Sequence, residues 1–277
     1  MDSDNYRKVL IFGQPFNLSS GGGITLSNLF ASWPKGKIAV LYAPWGEDDY
    51  TTDICDVYYQ IGNEEHFWRF PFNLFKAVFP ASGLKSLQED RAAQDAVLSK
   101  KKFKQFVARN LVTPFVEWLG LDHINSEVRF SERLKKWLSE YNPDILYLQV
   151  SSLEGIRFAA ILTDYLKIPS VIHMMDDWPS TISIRGPLKS YWQTRINKEL
   201  LGLFDKIDIH MSISDKMAEE YRERYNKTFL PFHNPIDTSK WLLHTKTDYH
   251  IDRSYVKILY SGRIGTGITS SILDVAS

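Results

Sequence analysis

Short apolar runs, separated by polar loops and helical patterns, recur along most of the chain. Two of them, Val9–Gly13 (VLIFG) and Ile38–Tyr42 (IAVLY), carry no polar residue on either face. Such runs are typical of strands that are buried on both sides of a parallel sheet. Runs of the same kind predict further strands at 57–61, 144–150, 170–174, 208–213 and 257–261, the first of these being the weakest.

Helical periodicity fills the segments between these runs. In 155–166 four apolar residues follow the i, i+3, i+4, i+7 spacing of one helix face and are expected to pack on the sheet: Phe158, Ile161, Leu162 and Tyr165. A longer stripe runs along a second helix: Leu188, Trp192, Ile196, Leu200 and Leu203. A third helix is predicted over 214–224. Strands that alternate with helices predict an α/β fold, with a Rossmann-like parallel sheet covered by helices on both faces.

The same pattern divides the chain into regions. Residues 1–237 form the predicted sheet domain, which an aromatic and basic insertion interrupts at about 63–128. Residues 238–256 are polar and weakly patterned, so they are interpreted as a linker. An apolar strand, a glycine-rich turn and a helix start follow in 257–277, and they predict the beginning of a new strand–turn–helix unit.

Composition narrows the classes of function. The 277 residues are 44% hydrophobic and 14% aromatic, and Lys plus Arg balance Asp plus Glu at 33 each. This neutrality argues against nucleic acid as a partner, because binding to a phosphate backbone needs a basic excess. The single cysteine, Cys55, excludes an internal disulfide and a zinc site built from cysteines. Without a signal-peptide pattern or an apolar run of about 18 residues, the sequence predicts a cytoplasmic protein.

Loops that follow the predicted strands carry the candidate chemistry, because ligands of open parallel sheets bind at the carboxyl ends of the strands. The first loop places Gly21, Gly22 and Gly23 before a predicted helix. Glycines allow a close approach of the backbone, and a helix N-terminus attracts an anion. The spacing matches neither the dinucleotide-binding motif nor the P-loop, so a plain turn remains the alternative.

A second group follows the strand that ends near His173. Asp176 and Asp177 come directly after it, and the three side chains suit acid–base catalysis, metal binding or a hydrogen bond to a sugar hydroxyl. The alternative is a core histidine, with Asp177 as a helix cap. No other His or carboxylate cluster has the spacing of metal ligands, which disfavours a metal site.

Two later loops complete the set. Residues 232–237 (FHNPID) end the sheet domain, where a proline-stabilised turn is the simplest interpretation. In 261–267 (SGRIGTG) Arg263 follows a predicted strand inside a glycine-rich loop, which suits bidentate capture of a phosphate. An ordinary turn with a solvated arginine is the alternative.

The order of these loops resembles the retaining GT-B glycosyltransferases, the "group one" nucleotide-sugar transferases. The succession of NPID, linker and YSGRIG carries most of the resemblance, which covers about 8–237 and the start of the second domain. It implies two Rossmann-like domains across a cleft, with the saccharide or lipid-linked acceptor on the first and the nucleotide-diphosphate sugar on the second. It also implies hexose transfer with retention and without a metal or other cofactor.

The resemblance further implies roles for individual residues. Gly22 and Gly23 would lie near the transferred sugar and the donor phosphates, His173 near the donor sugar, and Arg263 at the diphosphate. Family members usually carry a lysine about five residues after this arginine, where Ile268 stands here. The carboxylates that bind the donor's ribose and sugar in the family would lie beyond Ser277. We therefore expect an incomplete transferase that has little activity alone; an acceptor-binding module without transfer is the alternative.

Two further interpretations concern partners. Aromatic residues in 66–79 and lysines in 99–106 suit the headgroup level of an anionic membrane. Peripheral contact of 66–106 with the inner face of the membrane is therefore one interpretation. The alternative is that these aromatic side chains pack in a core beneath a long loop. An NAD-dependent oxidoreductase is disfavoured, because Tyr42 and Ala43 stand where an acidic residue would bind the ribose.

Overall fold

The structure, a computed structural model, describes residues 5–43, 50–70, 72–74, 79–85, 113–182, 186–236, 238–246, 254, 256, 258–260 and 269–276. The chain forms two compact units, Met1–Ile236 and Asp237–Ser277. Within the described ranges no helix has the length and apolar character that crossing a bilayer requires.

An eight-stranded sheet forms the centre of the first unit. The strands of this unit are β1 Val9–Gly13, β2 Ile38–Tyr42, β3 Tyr58–Gln60, β4 His66–Trp68, β5 Gly83–Leu84, β6 Ser126–Val128, β7 Ile145–Leu148, β8 Ser170–Met174, β9 Ile209–Ser212 and β10 Leu230–Pro231. Their order in the main sheet is β10-β9-β8-β7-β1-β2-β3-β5, and β4 and β6 form a separate antiparallel pair. All pairs of the main sheet are parallel except β3 with β5. The predicted α/β fold with a mostly parallel sheet is thus confirmed, and the strand order is compatible with a Rossmann-like fold.

Helices connect the strands. They are α1 Gly21–Phe30, α2 Thr113–Trp118, α3 Glu132–Tyr141, α4 Leu153–Leu166, α5 Trp178–Thr181, α6 Lys189–Phe204 and α7 Asp215–Tyr225 in the first unit, and α8 Thr238–Leu242 and α9 Thr269–Ala276 in the second. Four of them begin after a serine whose side chain accepts the N–H three residues later: Ser20, Ser131, Ser152 and Ser214. Three end on a residue in the left-handed region, which stops the helix: Asn142, Lys167 and Asn226. Local sequence therefore sets most of these boundaries.

Both faces of the sheet are buried. Leu10 and Phe12 of β1 belong to the core beneath α3, α4, α6 and α7, whereas Val9 and Ile11 belong to the core beneath α1. Alternate residues of a strand point to opposite faces, so a strand that is covered on both sides needs apolar residues at every position. This requirement explains the uninterrupted apolar runs of β1 and β2.

The face of α4 that packs on the sheet differs from the prediction. Phe158 and Leu162 are buried as expected, but Ile161 is 46% and Tyr165 44% exposed. The buried stripe instead includes Leu153, Ile156, Ala159 and Thr163. Ile156, Ala159 and Thr163 follow the i, i+3, i+7 spacing of the helix face that packs on the sheet. Tyr165 instead lies against Phe130, with ring centroids 4.7 Å apart.

The second unit contains elements that the pattern did not place. A short helix, α8, lies within the predicted linker. Residues 258–260 of the predicted strand belong to no ladder among the described residues, and Ile258 and Leu259 are 72% and 90% exposed. The rest of the strand predicted over 257–261 lies outside the described residues, so this strand stays a prediction. The helix predicted after the glycine-rich turn is present as α9.

Candidate functional site

A cleft of about 690 Å³ opens above the carboxyl ends of β1, β7 and β8. Its walls come from the loops after these strands and from Tyr42 and Ala43 at the carboxyl end of β2. Because β1 lies between β2 and β7, the chain here passes from one half of the sheet to the other. Open parallel sheets bind their ligands at this kind of switch point. The cleft is therefore the candidate site.

Gly13 allows the two central strands to approach each other at the floor of the cleft. Its φ angle is +131°, and a Cβ atom there would lie 2.1 Å from the backbone oxygen of Gln149. A side chain would therefore collide with backbone and adopt an unfavourable conformation. This position requires glycine.

A network of polar side chains holds the loop between β1 and α1. The Asn17 Oδ1 atom accepts hydrogen bonds from the Ser20 N–H (2.9 Å) and the Ser20 hydroxyl (2.8 Å). The Ser20 oxygen in turn accepts from the Gly23 N–H (3.1 Å) and from the Gln14 side-chain amide (2.5 Å). The loop is thus ordered by its own side chains and presents the N-terminus of α1 to the cleft.

The three predicted glycines occupy different places in this loop. Gly21 and Gly22 line the cleft, and a Cβ atom on Gly21 would meet open space. A Cβ atom on Gly22 would lie 2.1 Å from the Gln14 side chain, and one on Gly23 would lie 2.3 Å from Asn17. Gly23 therefore serves the packing of the loop, while Gly21 and Gly22 leave backbone exposed to a ligand.

Sequence reasoning missed the loop after β7. Gln149 and Ser152 line the cleft opposite Gly21, and the Ser152 hydroxyl caps α4 by accepting the Gly155 N–H at 3.0 Å. The Gln149 amide nitrogen donates to the sulfur of Met175 (3.3 Å), but its buried Oε1 atom has no hydrogen-bond partner. Buried polar atoms of folded proteins are nearly always paired, so this oxygen marks a position for a ligand or a water. The two serines that precede the helical pattern of α4 were the sequence signal that could have indicated this loop.

His173 lies at the inner wall of the cleft and is only 2% exposed. Its Nδ1 atom lies 2.6 Å from the Tyr147 hydroxyl, and its Nε2 atom has no hydrogen-bond partner. Burial lowers the pKa of His173 to about 4, and the nearby backbone carbonyl of Phe232 opposes this only in part. His173 is therefore a neutral imidazole at neutral pH, which can hydrogen-bond a ligand but supplies no positive charge.

We predict that this buried histidine makes the protein sensitive to acid. The unfolded chain protonates His173 near pH 6.5 and the folded chain only near pH 4, so the unfolded state binds more protons between these values. The contribution of neutral His173 to the free energy of unfolding is then fully present above about pH 6.5, and about 3 kcal/mol of it is lost as the pH drops to 4. Urea unfolding at several pH values should show a shallower fall in the His173→Gln variant. His233→Gln, at an exposed position, is the control; equal slopes for wild type and His173→Gln would contradict the prediction.

The two carboxylates after β8 have different environments. Asp176 is exposed and lines the cleft. Asp177 is not among the lining residues; it accepts from Arg224 Nη1 at 2.7 Å and Nη2 at 3.1 Å, from the Tyr221 hydroxyl at 2.9 Å, and from the Ser180 hydroxyl. Burial alone would raise the pKa of Asp177, but these donors outweigh it and hold the pKa below its usual value. Asp177 therefore fixes the segment that carries Asp176 and Trp178.

Trp178 contributes a donor to the same wall. Its side chain lines the cleft, and its buried Nε1 atom has no hydrogen-bond partner. Three residues of the lining thus carry a buried polar atom without a hydrogen-bond partner: Gln149 (Oε1), His173 (Nε2) and Trp178 (Nε1). No group of three or more His, Cys, Asp or Glu that could hold a metal ion occurs among the residues described.

Some predicted residues lie outside the described ranges. Arg263 and the rest of its glycine-rich loop are among them, as are the lysines of 99–106. Of the aromatic residues in the insertion, Phe70 is 80% exposed, whereas Phe79 stacks on His66 at 3.7 Å. Membrane contact through this region stays a prediction. Comparison with known proteins gives no assignment: no protein-family model matches the chain, and no curated protein matches it either.

Proposed function

We propose that the chain provides the acceptor-side domain of a glycosyltransferase that moves a hexose from a nucleotide-diphosphate sugar to a saccharide or lipid-linked acceptor. The observation that carries the proposal is the cleft at the switch point, with unpaired polar atoms on Gln149, His173 and Trp178. Residues 257–277 would begin the donor-binding domain, and retention of configuration follows from the family resemblance.

The lining suits a sugar. It combines neutral hydrogen-bonding side chains, such as Asn17 and Gln149, with the rings of Phe12, Tyr42 and Trp178. Sugars offer hydroxyl groups to the former and apolar ring faces to the latter, and sites of this kind fix orientation with a few polar groups among apolar ones. Asp176 is the remaining carboxylate that could serve as a base toward an acceptor hydroxyl.

A saccharide-binding module without transfer is the second candidate. Transfer requires positive groups that stabilise the departing diphosphate, and the described lining of this cleft contains neither Lys nor Arg. In the transferase proposal Arg263 would supply this charge. The two functions therefore share the acceptor cleft and differ in whether a donor is bound and cleaved.

Binding of neutral saccharides tests both candidates together. The isotope-labelled chain would be titrated with hexoses and disaccharides, and we expect amide shifts at Gly22, Gln149 and His173. Gln149→Ala should weaken binding about tenfold, because it removes the unpaired acceptor, whereas Gln193→Ala on α6 should leave binding unchanged. If no saccharide shifts these amides, the saccharide function is wrong.

A donor assay separates the two candidates. The chain is incubated with uridine- and guanosine-diphosphate hexoses and a bound saccharide, and products are followed by mass spectrometry. A glycoside product supports the transferase, and saccharide binding without donor binding supports the module. Quenching of tryptophan fluorescence by NAD, with no response to saccharides, would instead favour an oxidoreductase.

A further inference from the structure

A groove of about 810 Å³ lies on the outer surface of the first unit, between α4 and α6. Along α6 its lining extends from Ser190 to Leu203, which is about 20 Å of helix, so its mean cross-section is roughly 40 Å². A whole helix, about 10–12 Å across, does not fit into this width, but one row of side chains does. The groove shares no described lining residue with the cleft at the strand ends.

Two ion pairs connect the helices that form the groove. The Arg157 side chain of α4 donates to Glu199 of α6 at 2.8 Å. Lys206, just after α6, donates to Asp164 of α4 at 2.6 Å. Each pair joins residues 42 positions apart, so the two helices run side by side in the same direction. The walls of the groove are therefore fixed relative to each other.

Small residues keep the groove open between these ion pairs. Ala160 of α4 and Gly202 of α6 both line it, and a Cβ atom on Gly202 would meet nothing within 4 Å. The core residues Ile156 and Leu203 belong to the same lining, and the surface inside the groove is mostly apolar. The interior thus suits apolar side chains of an occupant.

Cations dominate the polar part of the lining. Four of them and one carboxylate are among the described lining residues: Arg157, Arg195, Lys198, Lys206 and Glu199. Glu199 is shared by both arginines, at 2.8 and 3.7 Å, and Lys198 makes no ion pair with any residue that the structure describes. With Asp164 counted against Lys206, two positive charges remain, whereas the chain as a whole is neutral. The groove therefore carries a local positive excess.

The exposed cations of α6 follow one face of this helix. Tyr191, Arg195, Lys198 and Gly202 are spaced by four, three and four residues, which places them in one row along the helix. All four line the groove, and Tyr191 is 52% exposed at one end of the row. An occupant that lies along α6 therefore meets an aromatic ring, two cations and a gap in succession.

These dimensions and charges fit an acidic helix better than other anionic partners. A compact anion such as phosphate would contact only part of a groove about 20 Å long. A lipid surface would touch the rim and leave the apolar interior unfilled. On a helix, residues three and four apart form a ridge, and such ridges pack into the grooves between other helices. Acidic residues beside the ridge would then face the cations of the rim.

We propose that the groove between α4 and α6 docks an amphipathic helix of a partner protein. An apolar ridge of that helix fills the space beside Ala160 and Gly202, and Asp and Glu side chains next to the ridge pair with Arg157, Arg195 and Lys198. The site is separate from the cleft, so the proposal does not depend on the proposed function.

Designed peptides test the proposal. The probe is a labelled helical peptide about 15 residues long, close to the length of the groove, with alanine and leucine along one ridge and glutamate on both flanks. A matched peptide carries lysine in place of every glutamate. In fluorescence anisotropy we expect the acidic peptide to bind at least about tenfold more tightly than the basic one. Its Kd should rise at least about threefold between about 50 and about 300 mM NaCl.

Two variants distinguish charge from shape. Lys198→Glu reverses a charge on the rim and should weaken binding of the acidic peptide about tenfold. Gly202→Phe fills the groove without changing its charge and should weaken binding to a similar extent. Lys216→Glu on α7 and Ser139→Phe on α3 make matched changes at exposed positions outside the groove, and they should leave the Kd unchanged. Circular dichroism verifies that all four variants fold.

The remaining outcomes overturn the proposal. Equal binding of the two peptides, or binding of neither, would remove the charge complementarity. Loss of binding in Lys198→Glu but not in Gly202→Phe would show that a charged surface, not the groove, holds the peptide. Displacement of the acidic peptide by inorganic phosphate would indicate a site for a compact anion. Sedimentation with phosphatidylglycerol vesicles that Lys198→Glu abolishes, without peptide binding, would identify a lipid surface. Saccharide binding in the cleft is expected to be the same in both variants, so the proposed function is tested separately.

Discussion

Replacement of Gly13 by alanine is expected to lower the free energy of unfolding by about 4 kcal/mol. The new Cβ atom would lie 2.1 Å from the backbone oxygen of Gln149, and the φ angle of +131° disfavours any L side chain. The two effects add, because relief of the collision requires β1 and β7 to separate at the centre of the sheet. Urea unfolding followed by circular dichroism measures the change.

Gly202 provides a matched control with the opposite sign. It lies within α6, and a Cβ atom there would meet nothing within 4 Å. Gly202→Ala should raise the free energy of unfolding by up to about 1 kcal/mol, since alanine favours the helix. A loss below about 1 kcal/mol for Gly13→Ala would show that the central strands separate easily, against the close approach described for them.

Replacement of Glu65 by alanine is expected to cost about 3–5 kcal/mol of stability. This carboxylate is 1% exposed. It accepts hydrogen bonds from the Tyr59 hydroxyl (3.0 Å), the Gly62 N–H (2.9 Å) and the Ser131 hydroxyl (2.5 Å), and also from Ser82. Its removal leaves four donors unpaired in a buried place and opens a cavity.

A graded pair of variants checks the explanation. Glu65→Gln keeps the volume and one oxygen, so it should cost about 1–2 kcal/mol, less than Glu65→Ala. Glu64→Gln is the control on the neighbouring residue: its ion pair with Arg133 (3.1 Å) is partly exposed, and its loss should change stability by less than about 1 kcal/mol. Chemical denaturation measures all three. Equal effects at positions 64 and 65 would contradict the role given to the buried network.

The sequence predicted the sheet well where apolar runs were continuous. β1, β2 and β8 occupy the predicted bounds, because burial on both faces leaves one interpretation for runs such as VLIFG. The strand predicted over 144–150 shortens to Ile145–Leu148, since the residues after it leave the ladder to form the cleft and to cap α4. Of the four residues predicted for one face of α4, Phe158 and Leu162 are buried and Ile161 and Tyr165 are not, because the apolar residues of this helix allow more than one stripe.

Residues of the site were predicted in part. Gly21, Gly22, His173 and Asp176 line one cleft because each lies near or after the carboxyl end of a parallel strand, and such strands end on the same edge. The loop with Gln149 and Ser152 was missed, since it has neither a glycine run nor a charge, and its place depends on the pairing of β1 with β7. The ion pair of Asp177 with Arg224 joins residues 47 positions apart, which no local pattern reveals.

The two edge strands of the eight-stranded sheet influence how readily the protein aggregates at high concentration. β5 at one edge and β10 at the other are two residues long, and β10 contains Pro231, which has no N–H to donate. An open edge recruits strands from other molecules through its free N–H and C=O groups, and short or proline-containing edges limit this. The described edges of the first unit therefore give little template for growth of intermolecular β-structure.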